Sequence, residues 1–128
     1  MQMMTRIIEM HKKFDLAADQ APKALPDDEK NFRIVAMQEE LDEYADANTR
    51  ADELDALVDL QVFLLGTVYR HGFADVFDEA FNRVMDANMQ KMLAGEALHS
   101  KRGFARDLVK PAGWTAPNLS DLTGDHHE

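Results

Sequence analysis

Residues 54–69, LDALVDLQVFLLGTVY, constrain this chain more than any other stretch. Wound at about 100° per residue, Leu54, Leu57, Val58, Leu60, Val62, Phe63, Leu64, Leu65 and Val68 cover a helix on every side, the pattern of a helix buried all round. Asp55 and Asp59 nevertheless share one side of it, four residues apart, with Asp52 a turn earlier. Ionised carboxylates are rare in a core unless they are paired or bound to a cation, and no run of lysines lies nearby. The stretch is also too short and too charged to span a bilayer.

Around this segment three more helices are predicted, and nothing alternates at period two. The first covers about residues 3–14. Pro22 and Pro26 break the following loop, and Asp27 or Asp28 is the expected cap of a second helix over about 29–47. Thr49 caps the third, which runs to about Arg70 and stops at Gly72. A fourth starts near Asp75 and ends before Gly95. Four helices joined by short turns predict an all-α fold, a four-helix bundle in a single domain over residues 1–128, with about 95–128 as an irregular C-terminal arm. In that arm Trp114 either packs onto the helices or stacks on a base. His126 and His127 are read as incidental to any metal site, and His11 and His71 as surface or cap residues.

The second helix divides sharply. Ile34, Met37, Leu41, Tyr44 and Ala45 share one face, expected to be buried. Glu39, Glu40, Glu43 and Asp46 share the other, with Phe32 and Ala36 on the same stripe. Alone, that stripe reads as a solvated face. Opposite a core helix carrying aspartates, it reads as an internal site of oxygen ligands, which favours Mg²⁺, with Mn²⁺ as a substitute, over zinc. On the fourth helix Phe77, Phe81, Val84, Met85 and Met92 form an expected buried stripe with Asn88 and Lys91 beside it. Lys91 suits a phosphate and Asn88 a phosphate or sugar, or Lys91 pairs with a carboxylate. Arg83 is expected to be a solvated surface charge.

The chain lacks cysteine, which excludes disulfides, thiolate zinc sites and thiol nucleophiles. A net charge of −10 argues against a nucleic-acid grip over a broad surface, though divalent cations admit phosphate ligands. Without an apolar leader or span, the expected setting is the cytoplasm, the host's if the chain is phage-encoded.

"EELDE", then "DALVDLQVFLLGTVYRHGF", then "VFDEAFNRVMDANMQKM" together resemble the all-α nucleoside triphosphate pyrophosphatases, the MazG-like and phosphoribosyl-ATP pyrophosphohydrolase-like superfamily. The opening "IIEMHKKFDL" and closing "KPAGWTAPNL" look like its small stand-alone members from bacteria and phages. The resemblance implies hydrolysis between the α and β phosphates, giving a monophosphate and pyrophosphate. It also implies a homodimer or homotetramer with the site near the subunit interface. The family's E-x-x-D falls on Ala56 and Asp59, a departure that Asp55 would cover from the next position. Its N-x-x-K matches Asn88 and Lys91.

With this resemblance, Glu39, Glu43, Asp55 and Asp59 are the expected metal ligands and Glu40 the general base. Asn88 and Lys91 would steady the phosphates, and Phe32 and Ala36 would shape the pocket. A deoxynucleoside triphosphate such as dGTP or dUTP is the expected substrate. Phosphoribosyl-ATP hydrolysis, a non-hydrolytic nucleotide or Mg²⁺ module, and an acidic bundle for a basic partner are the other readings. An apolar helix that must be covered and still leave a nucleotide cleft also points to a partner subunit.

Overall fold

The computed structural model describes residues 2–125, so His126 and His127 lie outside the described residues. The fold is all-α, with four long helices and little strand: α1 Gln2–Lys13, α2 Asp27–Asp46, α3 Arg50–Arg70 and α4 Phe77–Asn88. Two-residue strands β1 (Met92–Leu93) and β2 (Leu108–Val109) flank a 3₁₀ turn at Ala97–His99, and a single-turn helix α5 follows at Ser120–Thr123. The chain forms two compact units, one up to Asp75 and one from Val76. No helix of the described residues is long and apolar enough to cross a membrane.

In the first unit α2 and α3 run antiparallel, as the order of their contacts shows. Arg70 at the end of α3 forms a bidentate pair with Glu29 at the start of α2, at 2.7 and 2.9 Å. Inward along the pair, Phe32 meets Phe63 edge to face at 6.3 Å. The hydroxyl of Thr49 accepts from the Asp52 amide at 3.1 Å, the predicted cap. The start of α2 differs from expectation. Pro26 occupies its cap position with no side-chain bond, and Asp27 and Asp28 lie in the first turn, where carboxylates favour the positive end of the helix.

The stop at Gly72 is a Schellman turn: the Phe73 amide donates to Val68 O at 3.0 Å and the Gly72 amide to Tyr69 O at 2.9 Å. Gly72 has φ +76°, and a Cβ there would lie 2.2 Å from Ala21 O. That oxygen is held by the loop after α1, which is pinned to the end of α3. Lys23 N donates to His71 O at 2.8 Å, Ala18 N to the Tyr69 hydroxyl at 2.9 Å, and Arg70 to Leu16 O and Ala17 O at 2.9 and 3.1 Å.

Burial departs from the hydropathy pattern. On α2 the buried residues are Arg33 and Ala36, while Ile34, Leu41 and Tyr44, expected inside, are 55, 45 and 42% exposed. On α3 the buried set is Ala56, Leu65, Gly66, Val68 and Tyr69, and Leu54, Leu57, Val58 and Leu64 are exposed. Within one chain α3 is therefore not enclosed on all sides. The helices instead meet along small residues: a Cβ on Gly66 would lie 2.8 Å from Arg33 Nη1, so the backbones approach too closely for the large apolar side chains to lie between them.

His11, expected at the surface, is 3% exposed. Its Nδ1 donates to Ile7 O at 2.8 Å, which leaves Nε2 to accept from Arg33 Nη2 at 3.4 Å. Burial, with the Arg33 charge adding to it, holds its pKa below the ordinary histidine value.

In the second unit α4 ends at Asn88, short of the predicted stop, and Val76 rather than Asp75 is its cap. Only Ala87 of α4 is buried. Phe81, Val84, Met85 and Met92 of the expected inner stripe are exposed. Arg83 is not a free surface charge: it bonds Glu79 at 2.9 Å and Asp121 at 2.7 and 3.0 Å, fastening the start of α5 to α4.

Candidate metal-binding carboxylate site

The stripe of α2 that faces α3 runs Arg33, Ala36, Glu40, Glu43, at helical steps of three and four. The matching stripe of α3 runs Gly66, Phe63, Asp59, Ala56 in the opposite sense. Side by side, the two stripes bring Glu40, Glu43 and Asp59 into one group, each offering an oxygen within 4.8 Å of the others. Two carboxylates come from one helix at i and i+3 and the third from its neighbour.

The charges that act on this group are acidic. Glu40 is half-buried, and its Oε2 is shielded from solvent with no hydrogen-bond partner. Burial, then a hydrogen bond with Glu43 and the charges of Glu43, Asp59 and Asp55, push its pKa up to about 7. Asp59 is raised in the same direction by burial and then by Asp55 and Glu43. Asp55 therefore lies close enough to act on both, outside the three-oxygen group. A cleft of about 320 Å³, lined by Glu43, Asp46, Asp52, Asp55 and Ala56 among others, opens beside it.

A shielded carboxylate oxygen without a donor, next to two further carboxylates and with no compensating side-chain cation among the described residues, is chemically incomplete. The donor set, all hard oxygens, suits a divalent cation such as Mg²⁺ or Mn²⁺, so the residues fit such an ion.

The predicted residues divide as follows. Glu40, Glu43 and Asp59 converge, with Asp55 adjacent. Glu39 is exposed and contributes no oxygen to the group. Ala56, where the resembling family carries a glutamate, is 3% exposed. Ala36 is buried at 6% rather than lining a pocket, whereas Phe32 is 57% exposed.

Asn88, Lys91 and Trp114 gather within the second unit. Asn88 closes α4, and its carbonyl accepts from the Lys91 amide at 3.0 Å. The Trp114 indole donates to Ala87 O at 2.7 Å, and Lys91 Nζ stands 5.1 Å from its ring centroid. Trp114 thus fastens the arm to the end of α4.

Sequence reasoning missed Arg33, which is 8% exposed and has an unpartnered Nε. Its place on the same stripe as Glu40 and Glu43 was the available signal.

Residues 7–88 match the family described as phosphoribosyl-ATP pyrophosphohydrolase. Among curated proteins none matches the chain.

Proposed function

Since the chain belongs to the phosphoribosyl-ATP pyrophosphohydrolase family, within the MazG-like all-α nucleoside triphosphate pyrophosphatases, we propose that this pyrophosphohydrolase cleaves the α–β phosphate bond of a deoxynucleoside triphosphate. The products are the monophosphate and pyrophosphate. The observation that carries this reading is the convergence of Glu40, Glu43 and Asp59 around a shielded, undonated oxygen.

Glu43 and Asp59 would hold a divalent cation, Mg²⁺ by the hardness of the oxygens, with Asp55 adding negative charge beside them. Bound there, the ion would offset charge on the phosphate oxygens and acidify a water. Glu40 would serve as the general base that takes the water's proton. Without an ion, burial and the neighbouring carboxylates raise its pKa to about 7, so it binds a proton more readily than an ordinary glutamate. Phe32, exposed on the same helix as Glu40 and Glu43, is assigned to the sugar or base. The family match itself favours phosphoribosyl-ATP as a second substrate.

Pyrophosphate release should be measured over the eight common nucleoside triphosphates, dUTP and phosphoribosyl-ATP, with Mg²⁺, Mn²⁺ or EDTA. A deoxynucleotide is expected to give the fastest turnover, dGTP or dUTP foremost, with none in EDTA. Equal turnover in EDTA would refute the metal assignment, and fastest turnover on phosphoribosyl-ATP would replace the substrate assignment.

The exposed apolar faces of α2 and α3 support a homodimer or homotetramer. Leu41 and Tyr44 on one helix, with Leu54, Leu57 and Val58 on the other, present more unpartnered apolar surface than a lone small chain normally leaves in water. Light scattering at micromolar concentration is expected to give at least twice the 14.5 kDa chain mass, and a monomer there would overturn the proposal.

A further inference from the structure

Met4, Ile7 and His11 form the buried stripe of α1, at helical steps of three and four that place them on one side. Two of them are apolar. The third is titratable and takes no part in the carboxylate site. His11 stands near the end of α1, and its carbonyl accepts from the Leu16 amide at 2.7 Å, which starts the following loop.

The surroundings of the His11 ring suit its neutral form alone. The Nδ1 hydrogen is used by Ile7 O, and Nε2 faces Arg33 Nη2 at 3.4 Å. That contact is the one side-chain hydrogen bond of Arg33 among the described residues, and Arg33 is itself buried with Nε unpartnered. The acid that acts on His11 is Glu29 of α2, which is committed to Arg70 at 2.7 and 2.9 Å. On α3 the ring meets Tyr69 edge to face at 5.2 Å, and the charge of Arg70 reaches it as well. The backbone of α3 closes the remaining side. A Cβ on Gly66 would lie 2.8 Å from Arg33 Nη1, and 3.1 and 3.3 Å from His11 Cε1 and Nε2.

A proton added at Nε2 turns an acceptor into a donor. It sets two N–H groups and two positive charges against each other in a buried place, where unpaired charge costs most. The ring, bonded to Ile7 O on its own helix, escapes that repulsion only with α1. We propose that His11 is an acid-sensitive latch, whose protonation releases α1 from the α2–α3 pair. Burial, ahead of the Arg33 charge, lowers the His11 pKa while α1 is docked, and the released ring returns to its ordinary value of about 6.5. Docking is therefore fully favoured above that pH and weakens as pH falls below it. The latch lies outside the proposed hydrolysis and needs neither metal nor nucleotide.

Backbone amide hydrogen exchange of the full chain in EDTA is followed from about pH 7.5 to about pH 5, with each rate corrected for its intrinsic pH dependence. Protection of the α1 amides is expected to fall as pH drops below about 6.5, approaching tenfold per pH unit. Glu40 takes up a proton in the same range with the opposite effect on the fold, since its carboxyl is raised to about 7, so the change is read locally, in α1. His11→Gln keeps a donor and an acceptor but takes no proton, and is expected to lose this pH dependence in α1.

The His11 ring resonances of wild type, identified by their cross-peaks to Tyr69, give a second reading that needs no variant. The ring is expected to carry its hydrogen on Nδ1 at neutral pH and to gain its second proton in step with the opening of α1. Wild-type α1 protection that is flat with pH overturns the proposal. A folded His11→Gln with the wild-type pH dependence does so too, as does a ring that gains its proton while α1 stays protected.

Discussion

Asp59→Asn is expected to lower pyrophosphate release by about a thousandfold or more, without loosening the fold. The side chain supplies one of three converging oxygens, and supporting contacts around a metal already matter by about 10–100-fold. A direct ligand should exceed that, because charge offset and water acidification are lost together. Stability should move the other way. The Asp59 carboxyl is raised by burial and by the charges of Asp55 and Glu43, so its ionised form is the disfavoured one in the metal-free fold. An amide of the same shape removes that repulsion. The variant should therefore melt in EDTA at the wild-type temperature or higher.

Glu39→Gln is the comparison, since its carboxylate is exposed and outside the group. It should retain activity within about threefold, as an exposed group away from the reacting atoms would. Asp59→Asn with activity within tenfold of wild type would remove Asp59 from the machinery. A large loss in Glu39→Gln would return that residue to the ligand set.

Gly72→Ala should produce the largest loss of stability from a single methyl. At φ +76° an alanine carries a left-handed penalty of about 1 kcal/mol. Its Cβ would also sit 2.2 Å from Ala21 O and 2.6 Å from Ala21 C. Those atoms are backbone, held by the bonds between Lys23 and His71, so no side chain can swing away. The combined cost is expected to be about 3 kcal/mol, a fall of roughly 10 °C in Tm for a chain of this size.

Gly95→Ala isolates the two terms. Gly95 has φ +80° but nothing within 4 Å of its would-be Cβ. It should show the backbone penalty alone, about 1 kcal/mol. Equal melting temperatures for the two variants would mean that the loop after α1 yields freely at Ala21.

The parts of this molecule that local physics governs were legible in the chain. Thr49 caps α3 because its hydroxyl reaches the Asp52 amide, and Gly72 ends it because only glycine enters the left-handed turn without penalty. The meeting of Glu40 and Glu43 with Asp59 was also within reach, since i and i+3 on one helix share a side and an aspartate on an apolar neighbour needs an answer. The distinction between Glu39 and Glu40 was not legible. One residue is about 100° of helical rotation, and the packing angle of α2 on α3 decides which glutamate enters the group.

Hydropathy misled where packing follows shape. It assigned Ile34, Leu41 and Tyr44 to the core, yet α2 turns Arg33, Ala36 and part of Glu40 inward, because Ala36, Ala56 and Gly66 are small enough for the helices to approach. Composition and periodicity by themselves determined an all-α chain, the stop of α3 and the helices that carry the acids. Tertiary structure alone decided which acids converge, which apolar face is left uncovered, and that His11 lies buried against Arg33. Those outcomes depend on close approach and register between segments distant in sequence, which a repeat along one helix does not encode.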